Sequence, residues 1–148
     1  MAGTLFPVIE VPEIAIPGQS VNRPYSSSVS FDFEKGDFVR DGAYRMTSSS
    51  GFETYMQWCR KVCLTERDRF LSYSTDIGIE SESSLSQADR AAVESALERT
   101  ITEALMVNVH TEYVRNFIFK WGADTLEVEF TVKAKQWAEN AVRASYDI

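Results

Sequence analysis

YVRNFIFKWGADTLEVEFTVKAK, residues Tyr113 to Lys135, is the stretch whose reading decides the fold. Phe117, Phe119 and Trp121 recur at every second position of its first half, and Leu126, Val128, Phe130 and Val132 at every second position of its second. A period of two marks a half-buried strand, because successive side chains leave a strand on opposite faces. Gly122-Ala123-Asp124 supplies the turn between the two runs. The sequence therefore predicts an antiparallel hairpin of Tyr113–Trp121 and Thr125–Lys135. Glu127, Glu129, Thr131 and Lys133 face water, and Thr125–Lys135 is a candidate free edge of the sheet.

Upstream the period changes to that of a helix. From Gly51, the residues Phe52, Tyr55, Met56, Cys59, Val62 and Cys63 fall on one face and Glu53, Gln57, Arg60 and Lys61 on the other, after serines able to cap the start. This helix ends near Thr65. A second is expected from about Gln87 to Met106, with Val93, Leu97, Ile101, Ala104 and Leu105 inward and Ser86 with Asp89 as a capping box. Helices and strands with one apolar side each predict an α+β domain, its two amphipathic helices on one face of an antiparallel sheet.

Nearer the N-terminus, Val29, Phe31 and Phe33 alternate with Ser28, Ser30 and Asp32 until Glu34-Lys35-Gly36 breaks the pattern. A short strand from Phe38 and a turn at Asp41-Gly42 complete an expected N-terminal hairpin. Pro7, Pro12, Pro17 and Pro24, all the prolines of the chain, lie in residues 1–27 and predict an extended arm with short apolar pieces between them. After Lys135, the spacing of Trp137, Ala138, Ala141, Val142, Ser145 and Tyr146 predicts a short amphipathic C-terminal helix. The expected organisation is an arm over 1–27, one domain over 28–135, and a helix or tail over 136–148.

At 148 residues, 44% apolar and 12% aromatic, the chain can bury a core of its own. A formal charge of -7 gives no general attraction to phosphate backbones or anionic lipid, so neither nucleic acid nor membrane is an expected partner. No apolar run approaches the ~20 residues of a membrane span, and MAGTLFPVIE lacks the pattern of a secretion signal, so synthesis and residence in the cytoplasm are expected. Cys59 and Cys63, one helical turn apart, have poor geometry for a disulfide and read as reduced thiols.

Constellations that could carry chemistry are thin. Glu66, Asp68, Asp76, Glu80 and Glu82 supply carboxylates, but at a helix end and in a Ser-rich loop they read as solvated surface rather than as a glycosidase pair. His110 is the sole histidine, which leaves no multi-histidine metal site and no triad. A mixed site of Cys59, Cys63 and His110 is outweighed by core packing of the two thiols. Neither a phosphate-binding glycine loop nor a dinucleotide fingerprint occurs, and no cofactor or metal is expected. Trp58, Trp121 and Trp137 each border an apolar stripe and read as buried. Glu66-Arg67-Asp68-Arg69 reads, on composition alone, as an exposed helix end with local ion pairs.

In order along the chain stand Leu5-Phe6-Pro7, Phe31 to Phe38 (FDFEKGDF), Gln57-Trp58, Thr65-Glu66-Arg67, Tyr73-Ser74, Asp76-Ile77-Gly78 and Glu103-Ala104-Leu105. Each is weak alone, but in this order they resemble the wedge or sheath-initiator family of contractile phage-tail baseplates, a family that has carried a lysozyme-like label, and in particular its Gram-positive prophage branch. The resemblance covers about Leu5 to Lys133. It implies a structural baseplate part in a virion tail or a phage-tail-like particle, assembled in the host cytoplasm in six or twelve copies. Its implied partners are the tail sheath protein and larger wedge proteins, with the tube or hub as a further neighbour.

By the same resemblance Glu66, Arg67, Arg69, Tyr73, Asp76 and Gly78 are expected to form a structural or wedge-facing charged knot. Leu126, Val128, Phe130 and Val132 lie in the segment that meets the sheath by strand addition. His110 stands where the broader wedge family carries an arginine in an acidic-Pro-Arg motif, and it cannot reproduce a bidentate fork. Beyond Lys135 the sequence leaves the family pattern. The rival readings are a peptidoglycan hydrolase using Glu66 or Glu112, and a freestanding protein-binding adaptor.

Overall fold

The structure, a computed structural model, describes residues 24–148. Most of the arm, including Leu5-Phe6-Pro7, lies outside the described residues. In chain order the elements are β1 (Ser28–Val29), β2 (Phe31–Asp32), β3 (Asp37–Phe38), β4 (Ser48–Ser49), α1 (Phe52–Cys63), α2 (Ser81–Leu85), α3 (Arg90–Met106), β5 (Thr111–Trp121), β6 (Thr125–Ala134) and β7 (Asn140–Asp147). The fold class is α+β, as the one-sided patterns imply.

β5, β6 and β7 form an antiparallel sheet in that order. The hairpin pairs Trp121 with Leu126 and Phe119 with Val128, so the two alternating runs share one face. Leu126, Val128, Phe130 and Val132 are at most 1% exposed. Phe117 stacks on Phe130 at 5.1 Å between ring centroids. α1 packs on β7 and on α3, and α3 on β5, so both long helices cover the same face of the sheet. Tyr55, Cys59, Val62 and Cys63 of α1 and Leu97, Ile101, Ala104 and Leu105 of α3 join these strand residues in one core.

The helical expectation for the C-terminus is corrected. Residues Asn140–Asp147 form β7, which pairs with β6 from Thr125↔Asp147 to Val132↔Asn140. Val142, Ala144 and Tyr146 turn inward while Ala141, Arg143, Ser145 and Asp147 stay exposed. The cause is non-local: buried β6 has a whole row of backbone groups to satisfy, and a strand meets that demand where a helix cannot. The candidate edge is corrected with it, because β6 is the central strand.

Two further differences concern helices. The second long helix begins at Arg90 rather than Gln87, and its cap is Asp89, which accepts the Ala92 N–H at 2.8 Å. Ser86 instead follows a third, unforeseen helix, the short α2. Ahead of α1 the expected N-terminal hairpin is a small ribbon, with β2 on β3 and β1 on β4.

Candidate functional site

The residues between α1 and α2 are drawn into a loop with a clamped neck. Ile79 donates its N–H to Thr65 O at 2.9 Å and accepts the Arg67 N–H at 2.8 Å, a one-residue parallel bridge that brings the loop ends together. Arg67 reinforces it: Nε and Nη2 both donate to Gly78 O, at 3.3 and 3.2 Å, and Nη1 reaches Glu80 at 3.2 Å. Gly78, at φ 102°, admits no side chain here, since a Cβ would lie 2.7 Å from Thr65 O. Glu66 accepts the backbone N–H of Ser81 at 3.0 Å, the N–H of Glu82 at 3.4 Å and the Ser81 hydroxyl. Its carboxylate thus satisfies the otherwise unpaired first turn of α2.

Of the six residues read from the sequence as a knot, the structure brings Glu66, Arg67 and Gly78 together at the neck, where they face their own backbone. Glu66, Arg67 and Gly78 hold the loop together, whereas Arg69 pairs with Glu82 at the surface, at 3.3 Å. Tyr73 lies under Lys61 Nζ, 4.9 Å from its ring centre, and meets the Phe70 ring edge-on. Asp76 stays with Ser74. The loop displays Phe70, half exposed, and Leu71, the most exposed large apolar residue among the described residues.

His110 stands apart from this cluster, at the turn from α3 into β5. Its ring meets Tyr25 edge-on at 5.1 Å, and its Nδ1 is buried without a partner. Tyr25 also packs against Tyr55 and Trp137, and its hydroxyl accepts from Asn108, so this aromatic group ties the start of the described chain to the core. Gln57, read from the sequence as a polar-face and motif residue, has a definite task. Its amide Oε1 accepts the Phe31 N–H at 3.0 Å and its Nε2 donates to Val29 O at 2.7 Å, so one side chain pairs with the ribbon as a strand would. Phe31 in turn packs with Phe33 and Phe38, and Arg60 covers Phe33 at 5.0 Å, so FDFEKGDF folds as an aromatic turn on α1.

Leu126, Val128, Phe130 and Val132 face the core and are not available as contact side chains. The sheet instead ends in two unequal edges. β5 carries two register irregularities, at Thr111/Tyr113 and Arg115/Ile118, and Asn116 within the second is left-handed at φ 58°. Such bulges spoil the even spacing that an added strand needs. β7 pairs with β6 without interruption, and no strand among the described residues covers its other side.

The direction of the β7 backbone groups follows from the ladder. Thr125 O accepts from Gly122 on the β5 side, and Ile148 N donates to Asp124 O on the β6–β7 side. Alternation then aims the groups of Asn140, Val142, Ala144 and Tyr146 at β6, and those of Ala141, Arg143, Ser145 and Asp147 at the open side. Ala141 agrees, for its N–H is taken by the Asn140 side chain.

Burial dominates the electrostatics of the core. Burial pushes the Cys59 thiol up to about 12 and also raises Cys63, Tyr55 and Tyr146. Both thiols are free and buried, which leaves them protonated and inert. Among the described residues no group of three or more His, Cys, Asp or Glu is placed to hold a metal ion, and no helix is long and apolar enough to cross a membrane.

A family model, contractile injection system sheath initiator, matches residues 27–136. The chain belongs to that family. No curated protein matches it. A sheath initiator is a structural component of a contractile tail or injection-system baseplate, acting where the sheath begins. The matched span of this sheath initiator takes in the ribbon, the clamped loop, all three helices, β5 and β6, and stops before β7.

Proposed function

We propose that this sheath initiator joins larger wedge proteins at the inner baseplate and templates the first sheath ring by strand addition, without catalysis. The observation that carries the reading is β7: an unbulged edge strand whose Ala141, Arg143, Ser145 and Asp147 backbones face outward. An extended sheath arm laid there gains main-chain hydrogen bonds for affinity, while its alternating side chains set the register. The clamped loop is the wedge-facing surface, with Phe70, Leu71 and Tyr73 at its tip and Arg69, Asp76 and Glu82 around them. His110 serves the packing of Tyr25 rather than a forked contact with a partner carboxylate. Assembly takes place in the host cytoplasm, in six or twelve copies per baseplate, with the tube or hub as a neighbour.

The test is sheath nucleation on reconstituted baseplates. Ser145→Pro removes an outward N–H while sparing the β6–β7 ladder, a position where an edge strand tolerates proline. The variant should fold normally and start sheath slowly. A sheath that starts equally well with Ser145→Pro, or with the protein left out, sinks the reading. Cell-wall clearing lost on neutralising Glu66 or Glu112 would favour a hydrolase instead.

A further inference from the structure

Residues 39–47 connect β3 to β4 in a turn that Asp41 fastens from within. Its N–H donates to Arg45 O at 2.8 Å, its C=O accepts the Tyr44 N–H at 3.0 Å, and its Oδ1 accepts the N–H groups of Ala43 at 2.8 Å and Arg45 at 2.9 Å. Thr47 closes the neck by donating its N–H to Val39 O at 2.9 Å. So locked, the turn holds Tyr44 left-handed at φ 61°, although Gly42 stands two residues away and has no positive φ. A bulky residue in that conformation carries strain that glycine would not.

The fold makes no use of the side chain that this strain displays. Tyr44 is 82% exposed, and its ring and hydroxyl have no partner among the described residues. The other five tyrosines of the chain are all engaged: Tyr25 with Tyr55, Tyr73 with Phe70, Tyr113 with Glu139 and Tyr146 with Cys63 O. Strain retained beneath an exposed, unpartnered aromatic points to a task outside the molecule. Its neighbours suit the same task. Arg40 and Met46 face each other across the turn as a bridged pair, and Val39 and Met46 are exposed apolar groups. Neither Arg40 nor Arg45 has an ion-pair partner among the described residues. Tyr, Arg and Met are residues that the centres of protein interfaces favour.

We propose that this turn is a docking surface for another baseplate protein, with Tyr44 entering an apolar cleft whose rim carries Asp or Glu for Arg40 and Arg45. Charge selects the partner. Two unpaired guanidinium groups call for anions, and carboxylates at the rim of a cleft meet them with forked hydrogen bonds. A nucleic-acid backbone offers anions too, but a chain of formal charge -7, with Glu34 and Asp37 exposed in the same ribbon, repels a polyanion. Neither β7 nor the clamped loop contributes a residue to this surface, so it stands without strand addition.

The experiment titrates purified wedge subassemblies that lack this chain with the full-length protein and its variants, at low and at high salt. Tyr44→Gly should bind at least about tenfold more weakly, the usual loss of an anchoring aromatic. Its melting temperature should stay level or rise, because glycine takes φ 61° without strain. Arg40→Glu combined with Arg45→Glu, its fold checked by circular dichroism, should weaken binding about tenfold and flatten its salt dependence. Native-like binding by both variants overturns the proposal, and so does a lower melting temperature in Tyr44→Gly, which makes Tyr44 a residue of the fold. Leu71→Ser reports on the clamped loop alone: weak binding there, with the turn variants native-like, keeps the loop as the wedge contact and removes only the turn. Failure of the native chain to bind overturns both. Dimers lost from sedimentation in Tyr44→Gly, or single-stranded DNA binding lost on charge reversal, make the occupant a second copy or a nucleic acid, and the proposal falls.

Discussion

Gly78→Ala strikes the neck of the clamped loop. The new methyl would stand 2.7 Å from Thr65 O, 3.0 Å from Arg67 N and 3.2 Å from Arg67 Cα, all backbone atoms with no flexible end to give way. The residue also sits at φ 102°, where an L side chain is strained by about 1 to 3 kcal/mol. Relief requires the neck to part, which breaks the Arg67–Ile79 and Ile79–Thr65 hydrogen bonds at about 1 kcal/mol each. The sum is about 3 to 5 kcal/mol, a large share of the 5 to 15 kcal/mol that holds a typical domain together. In urea at 25 °C, with a slope near 2 kcal/mol per molar, the unfolding midpoint should fall by about 2 M. Hydrogen exchange at Arg67 and Ile79 should quicken before the rest of the protein opens. A loss under about 1 kcal/mol, with those two amides still protected, would refute the account of the neck.

Three other expectations follow from the same geometry. Arg67→Ala strands the buried Gly78 carbonyl and should cost about 2 to 3 kcal/mol, little of it from the exposed Glu80 pair; the protein should fold, exchange faster over 67–79 and assemble poorly into baseplates. Gln57→Ala removes both hydrogen bonds to the ribbon, so it should lower stability by about 1 to 2 kcal/mol and open residues 28–49 to proteolysis while β5–β7 stay protected. Because burial holds the Cys59 thiol protonated up to about 12, the unfolded chain loses that proton first as pH rises. Stability is full below the ordinary thiol range and falls above it, by at most about 1.4 kcal/mol per pH unit for each such thiol. Denaturation curves from pH 8 to 12 should show that fall, less steeply in Cys59→Ala, and iodoacetamide at pH 8 should label neither cysteine until the protein unfolds.

The hairpin was legible because its signal is local: Leu126, Val128, Phe130 and Val132 alternate without exception and all reach the core. The last strand was not, because Ala141-Val142-Arg143-Ala144-Ser145-Tyr146 satisfies a helical spacing as well as an alternating one, with Ala144 too small to tip the balance. What decides it is the unpaired side of β6, a fact about a neighbour. α2 was hidden for a similar reason. Its Ser-rich sequence has no helical stripe, and the group that caps it, Glu66, comes from 15 residues away. For the site, motif order brought Glu66, Arg67 and Gly78 to notice together, but sequence cannot tell a charge turned out to a partner from one turned in to its own backbone. Asn116 did leave a signal, since asparagine is among the residues that most readily turn left-handed.

The unequal edges of the sheet also govern how the protein behaves when it has no partner. With the β5 flank kinked by bulges and the β7 flank straight, β7 is the edge among the described residues through which two copies can meet, as a two-fold pair, and such a pair hides the surface that each would use in a particle. Surplus initiator should therefore be self-adhesive. Concentrated stocks should lose nucleating activity reversibly on standing and regain it on dilution, and a cell that makes this protein gains by making it no faster than baseplates can take it up.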